Sequence, residues 1–490
     1  MGLFLLMIPL ITVLLALVIK NRRLLHGLSL FTSALLFMVA IGLTKKILLW
    51  GQINEPAWNG FFYVDALSII VLDIVIILGF LVSIYSVGYL EEDVRQGKID
   101  EKRIRLYYIL LYAFIFTMIL SLTVKNIGIM WVAIEATTLA SVFLVGFYNT
   151  KKALEAAWKY VIICSVGISL AFLGIIFLHL SSLGVLGKEQ FLDWTALFAQ
   201  AEALKSPLLR LSFLFILVGF GTKAGLAPMH TWLPGAHSQA PSPISALLSG
   251  VLLNSAMYGI MRSVAIVNKN LAGSTFTGNL LIAAGLLSIG IAAVVIISQK
   301  EYKNLLAYSS IEHMGIIAFS LGLFTPASIF GALLHMINHS LTKSMLFFAT
   351  GNILHTYHTG RISKIKGILK RMPVSGTAFL LGLFAIAGTP PFSIFASEVN
   401  VIAAVFLNGR FIIGAIFAFL LAVIFAGIVF NMLPMFYGES ADEEIPVQKN
   451  NLLGTGAILL LLILILITGF YLPNDLKELI YSAQRIMMGE

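Results

Sequence analysis

Apolar residues run through the chain in blocks of about twenty, divided by short clusters of charged residues, glycine and proline. A helix that spans a bilayer needs about 20 apolar residues. The pattern therefore predicts about fourteen spans, near residues 2–19, 27–44, 61–89, 106–124, 127–148, 158–182, 207–227, 241–261, 278–298, 302–324, 327–350, 373–407, 410–434 and 452–472. The first block, Met1–Val18, has no preceding positive charge and is followed by Lys20, Arg22 and Arg23. That order reads as a retained span and not as a cleaved export signal. No soluble domain, coiled coil or low-complexity tract is expected. The longest non-membrane stretch, about 183–206, has room for one short surface helix.

Two blocks are interrupted. The seventh breaks at Gly225-Leu226-Ala227-Pro228, and the twelfth, too long for one straight span, breaks at Gly388-Thr389-Pro390-Pro391. These spans are five apart, and five is odd, so two five-span units would lie in opposite senses across the membrane. That is the pattern of an inverted-repeat transporter, in which broken helices mark the ion site. The expected organisation is three helices in residues 1–105, a first repeat of helices 4–8 in 106–265, and a second, inverted repeat of helices 9–13 in 278–434. A last helix and a short external tail complete it in 452–490.

Composition agrees with that reading. Of 490 residues, 59% are hydrophobic and only 11% charged, with a mean hydropathy of +0.96. A soluble domain carries roughly 25% charged residues, so the expected class is an all-α polytopic membrane protein. The net charge of +9 does not imply nucleic acid, because the charges lie in short loops. Of the 32 Lys and Arg residues, 19 fall in odd-numbered loops and 11 in even-numbered loops or at the carboxyl end, leaving Lys223 and Lys343 inside spans. The bias predicts odd loops in the cytoplasm and both termini outside. Cys164 is the one cysteine, which excludes a disulfide framework and a self-contained iron–sulfur cluster. No nucleotide-binding loop, nucleophile elbow or zinc-deaminase signature is present.

Ionisable groups within the spans carry the chemistry, since each costs at least about 2.5–3.5 kcal/mol at mid-bilayer. Glu135 lies inside span 5, and Lys223 lies just before the break of span 7. The two read either as a structural pair or as a switchable one, in which a carboxylate favours charged lysine and desolvation opposes it. Span 11 places His335, His339 and Lys343 at i, i+4 and i+8, on one helical face. His-x-x-x-His is a possible metal pair, but a third ligand is missing nearby and the lysine would repel a cation. A row of titratable groups reads better as a proton relay. Glu398 follows the break of span 12, and His230 and His237 flank the other break. For His237 a surface position is as consistent with the sequence as a place in the path. Glu312 and His313 are open to either reading, and Asp73 and His179 read as structural.

Several of these stretches resemble the antiporter-like membrane subunits of respiratory complex I and its relatives. They are Gly219-Phe220-Gly221-Thr222-Lys223, Pro228-Met229-His230-Thr231-Trp232-Leu233-Pro234, Ala236-His237, Ala240-Pro241-Ser242-Pro243-Ile244-Ser245-Ala246-Leu247, Lys303-Asn304-Leu305-Leu306-Ala307-Tyr308-Ser309-Ser310 and His335 to Lys343. Ile134-Glu135-Ala136-Thr137-Thr138-Leu139 and Glu155-Ala156-Ala157-Trp158-Lys159-Tyr160 are most similar to hydrogenase-4 component F of the formate hydrogenlyase type. The likeness covers about residues 60–435.

The resemblance implies fourteen helices with inverted five-helix repeats, and a proton path in which Glu135 pairs with Lys223 and charge passes toward Lys343 and Glu398. It departs at Asn254, where M-type subunits usually carry lysine, leaving a gap at span 8 for water or His339 to fill. The 18 residues after the last span are too few for the long lateral helix of the L-type subunit.

The expected function is a proton- or sodium-translocating subunit of a hydrogenase or formate hydrogenlyase-type complex in a prokaryotic plasma membrane. It would carry no cofactor or redox centre of its own. Nickel–iron and iron–sulfur centres would sit in partner subunits, a peripheral redox arm beside other membrane-arm subunits. Rival readings are a subunit of a multi-subunit cation/proton antiporter, a subunit of NADH-quinone oxidoreductase, and a haem anchor using His179 and His335.

Overall fold

The computed structural model describes residues 2–55, 60–187, 190–438 and 452–489. It opens with α1 (Gly2–Val18) and α2 (Arg22–Trp50), then a small antiparallel hairpin of β1 (Gln52–Glu55) and β2 (Phe62–Asp65). Four long helices follow: α3 (Ala66–Arg95), α4 (Glu101–Thr123), α5 (Ile127–Val145) and α6 (Lys151–Ser182). Side chains cap their amino ends, satisfying backbone N–H groups that have no partner within the helix. Asp65 caps α3, Asp100 caps α4, Asn126 caps α5 and Thr150 caps α6.

The stretch after α6 holds the short α7 (Trp194–Ala199), so the expected surface helix is there. The broken seventh run is α8 (Ser206–Ala224) and the half-helix α9 (Leu233–Gln239). The eighth is α10 (Ser242–Leu247), a π-helical turn at Leu248–Leu252, and α11 (Leu253–Asn270). Next come α12 (Phe276–Ile297), α13 (Tyr302–Leu323), the 32-residue α14 (Pro326–Tyr357) and the single turn α15 (Ile368–Arg371). The broken twelfth run is α16 (Pro373–Ile386) and α17 (Ser393–Leu407), followed by α18 (Phe411–Met432), α19 (Leu452–Phe470) and α20 (Asn474–Met488).

Among the described residues, 11 helices are long and apolar enough to cross a membrane, with α10 through α11 taken as one. The shorter apolar helices are α1, α16 and α17, and the polar row along α14 sets it apart from the 11. The chain is a multi-pass membrane protein, helical throughout apart from the β1–β2 hairpin. Its burial is inverted relative to a soluble protein: α10, α11 and α13 are almost wholly enclosed, while α18 and α19 present large apolar side chains such as Phe430, Ile412 and Leu452 outward. Outward apolar surface of this kind suits lipid.

Small residues bring the enclosed helices together. On α12 and α13, a Cβ at Gly285 would stand 2.6 Å from the carbonyl of Gly315, and one at Gly315 would stand 2.8 Å from the carbonyl of Gly285. Packing of α6 on α8 and of α14 on α17 completes the walls around the polar centre. The tail after α19 forms α20, whose Leu479, Ile480, Ala483 and Met487 bury against the bundle, with α3 and α14 its main neighbours.

Candidate functional site

The first break is built around the carboxyl end of α8. Gly225 ends that helix at φ +77°, a left-handed conformation that glycine adopts without steric cost. The freed carbonyls find donors: Gly225 and the Trp232 indole both reach the carbonyl of Thr222, at 3.2 and 2.9 Å. This leaves Lys223 wholly buried, two residues before Gly225.

Lys223 and Glu135 are joined through a hydroxyl. The Lys223 ammonium donates to the Thr138 hydroxyl, and Thr138 donates at 3.2 Å to Glu135 Oε2. Ser165 donates to the other carboxylate oxygen at 3.0 Å. Tyr160 closes the cage, its hydroxyl 3.4 Å from the ammonium and its ring centroid 5.3 Å away. Glu135 is half-buried and faces the outer surface of α5, between the exposed Val132 and Leu139. The physical reason for the bridge is that α5 turns its carboxylate toward the rim and its Thr138 inward, so only the hydroxyl reaches the lysine.

The second cluster forms where α13, α14 and α17 meet. Lys343 donates at 2.7 Å to the carbonyl of Leu306 and also to the Ser309 hydroxyl. His335 is held on both sides, by His313 Nδ1 at 2.9 Å and by the Ser397 hydroxyl at 2.9 Å. The His339 ring lies 5.1 Å from that of His313, centroid to centroid, tilted by 36°. Glu312 is buried among them and lies within Coulombic reach of both Glu398 and Lys343. The second break places Glu398. Gly388, at φ +70°, has no side chain, and the Glu398 carboxylate lies against the space that a Cβ there would fill.

Between the clusters, Asn254 takes no charge. Its amide donates to the carbonyl of Gly250 at 2.9 Å and to Ser340 Oγ at 2.7 Å. His230, in the first break, turns toward α13, its ring 6.3 Å from that of Tyr308. His237 is fully buried and not at the surface, because its ring packs between those of Trp232 and Phe347.

The structure thus gathers His335, His339, Lys343 and Glu398 into one cluster and links Glu135 to Lys223 through a hydroxyl. It adds Thr138, Tyr160, His237, Glu312, His313 and Ser397. The sequence signal for Glu312 and His313 is weak: two adjacent ionisable residues in an apolar run, with no sign of the helix they face. Several polar atoms in this row are buried without a protein partner: Glu312 Oε2, His313 Nε2 and both ring nitrogens of His237 and His339. Buried polar atoms are normally satisfied by protein or water, so such a row has the character of a hydratable, proton-exchanging path. Among the described residues, no group of three or more His, Cys, Asp and Glu is placed to hold a metal.

Residues 125–469 match the family described as NADH:quinone oxidoreductase/Mrp antiporter, TM, and residues 50–98 match NADH-ubiquinone oxidoreductase (complex I), chain 5 N-terminus. A hydrogenase-4 component F homolog from Methylacidiphilum infernorum is 37% identical over 471 residues, 96% of either chain. An Na(+)/H(+) antiporter subunit of Bacillus subtilis is 26% identical over 94% of this chain and 92% of its own. A chain in the structure of the archaeal membrane-bound sulfane sulfur reductase, a respiratory membrane complex, shares the fold with a TM-score of 0.88. That pair is 23% identical over 99% of this chain and 97% of the other.

Proposed function

The chain belongs to the NADH:quinone oxidoreductase/Mrp antiporter transmembrane family, and from that premise we propose that it is the ion-translocating membrane-arm subunit of a hydrogenase or formate hydrogenlyase-type complex. The observation that carries the reading is the polar row from the half-buried Glu135 through the buried Lys223, His339 and Lys343 to Glu398. Its groups exchange protons, while the apolar helices around them keep water and ions from leaking past. The paired half-helices α8–α9 and α16–α17 make two five-helix units, 106–265 and 278–434, related by inversion. With α1 and the polar α14, they complete fourteen crossings.

In this reading Lys223 alternates between holding its proton beside Thr138 and Glu135 and passing it inward. Protonation of Glu135 removes the negative charge that favours charged Lys223, so the two sites bias one another. His230 lines the break between the halves, and His335, His339 and Lys343 carry charge toward Glu398 and the outer face. Redox chemistry belongs to partner subunits with nickel–iron and iron–sulfur centres, and this chain carries no cofactor. It lies in a prokaryotic plasma membrane with both termini outside.

The 37% identity to a hydrogenase-4 component F homolog favours the hydrogenase setting. The full-length likeness to an Na(+)/H(+) antiporter subunit supports a second reading, an antiporter without redox partners. Purification through a tag on this chain separates them: a co-purifying nickel-containing subunit supports the first and its absence the second. For the ion-translocating role itself, Lys223→Ala is expected to abolish most ion movement by the reconstituted complex while leaving its assembly intact. Normal translocation at normal yield would return Lys223 to a structural role.

A further inference from the structure

Several helix ends meet where the bundle carries its lysine-rich loops, and between them opens a cavity of about 490 Å³. Lys98 enters its wall from the α3–α4 turn, Lys152 from the first turn of α6, Lys303 from the first turn of α13, and His358 from the end of α14. Lys303 is buried, its ammonium donates at 3.2 Å to the carbonyl of Ala240, and among the described residues it forms no ion pair. A single carbonyl offsets only part of the cost of burying a cation. Beside it Tyr302 also lines the cavity, and its buried hydroxyl has no hydrogen-bond partner in the protein. Such a group is normally satisfied.

The neighbouring carboxylates are committed elsewhere. Glu301, in the wall, accepts from Asn304 at 3.1 Å. Asp93 lies 3.7 Å from Lys98 but is already held by His355 at 2.9 Å and Tyr148 at 2.6 Å. Helix ends do not decide the sign of the site: α6 and α13 begin here, while α14 and the short α9 end here. Their dipoles oppose one another, and the positive character comes from the lysines.

We propose that this cavity binds a phosphate group, carried by an anionic lipid headgroup or free in solution, with Lys98, Lys152 and Lys303 around it and Tyr302 as a further donor. Lysine holds phosphate as a point charge on a flexible stem, and basic pockets between membrane helices suit lipid headgroups. The volume falls in the range of small-molecule sites. A metal cation is repelled by the same lysines. No member of the row from Glu135 to Glu398 lies in this wall, so the site stands apart from the ion-translocating reading.

The test uses the purified whole complex, stripped of lipid, and measures binding without ion movement. Two probes are offered separately: radiolabelled inorganic phosphate by equilibrium dialysis, and phosphatidylglycerol in phosphatidylcholine nanodiscs, with the lipid retained after re-extraction measured by mass spectrometry. Wild type is expected to bind at least one of them saturably. Retention of phosphatidylglycerol without phosphate binding identifies a lipid site, and phosphate binding alone identifies a soluble anion. Lys152→Glu, at an exposed position of the wall, is expected to weaken that binding roughly tenfold, whereas Lys477→Glu on α20, at the opposite end, should leave it unchanged. Lys303→Met should remove the saturable component; where it assembles poorly, Lys152→Glu decides. Absence of saturable binding of both probes would overturn the proposal. So would wild-type affinity in Lys152→Glu. Translocation by the same samples reports on the ion path separately, so failure of either reading leaves the other standing.

Discussion

Lys223 and Glu135 meet only through the hydroxyl of Thr138, which accepts from the ammonium and donates to the carboxylate. A hydroxyl so placed can relay a proton in either direction while keeping two opposite charges from locking together. It also makes the coupling depend on a residue with no charge of its own.

Thr138→Val keeps the shape of that side chain and removes the bridge. It is expected to slow ion translocation roughly tenfold or more, the kinetic equivalent of at least about 1.4 kcal/mol, since one hydrogen bond to a charged group contributes about 1.5–3 kcal/mol. Thr138→Ser should restore most of the rate. Proton movement by the reconstituted complex is the measurement, with complex yield as the check on folding. Equal rates in wild type and Thr138→Val would mean that Glu135 and Lys223 communicate by another route.

Gly388 and Gly409 separate backbone strain from site geometry. Both stand near φ +70°, but a Cβ at Gly388 would collide with the Glu398 carboxylate, whereas nothing lies within 4 Å of one at Gly409. Alanine at either position carries the left-handed cost of about 1–3 kcal/mol. Gly388→Ala should in addition displace Glu398 and depress translocation, while Gly409→Ala lowers only thermal stability. Thermal denaturation paired with a translocation assay on both variants resolves the two effects, and equal translocation losses would detach Glu398 from the break.

Much of this architecture was legible in the chain, because lipid imposes long uninterrupted apolar runs and leaves every charge within them conspicuous. The breaks showed through Gly225, Pro228, Gly388 and Pro390, and Lys223, Lys343 and Glu398 stood out as charges where few belong. What escaped was spatial or chemically quiet. Thr138, Tyr160 and Ser309 belong to residue types common in membrane helices, and nothing in sequence shows which of them faces a lysine. His237, beside a proline-rich turn, fits a surface position equally well, since the packing of α9 against α6 and α13 that buries it is not visible in sequence. The helix α20 went unseen because Leu479, Ile480, Ala483 and Met487 form a stripe too polar in its surroundings to resemble a span.

Asp65 and Arg262 make a buried bidentate pair, both contacts at 2.7 Å, joining the start of α3 to the carboxyl half of α11. The guanidinium lies 4.1 Å from the Trp194 ring centroid and 4.9 Å from that of Tyr258. Removing one partner leaves an uncompensated buried charge, costing about 3–5 kcal/mol. Arg262→Met and Asp65→Asn should each lower complex yield strongly, and the double variant should be less damaged than their sum. Yield and thermal aggregation of all four forms complete the cycle. Strict additivity would show that the ion pair does not hold these helix ends together.

The arrangement of the whole path depends on which face is inside. Lys366 is exposed in the loop between α14 and α16, within the cluster Arg361, Lys364, Lys366, Lys370 and Arg371. Positive loops are retained in the cytoplasm, so this loop is predicted to lie inside and α20 outside. In a Cys164→Ser chain, Lys366→Cys is expected to resist an impermeant thiol reagent applied to intact cells and to react after the membrane is opened. A cysteine at Ser482, on α20 at the opposite end, should show the reverse and label in intact cells. The pair matters more than either alone, because a buried or unreactive position would mimic protection at one site but not produce opposite behaviour at two. Labelling of Lys366→Cys from outside, with Ser482→Cys protected until the membrane is opened, would invert the protein. Glu398 would then face the cytoplasmic end of the path.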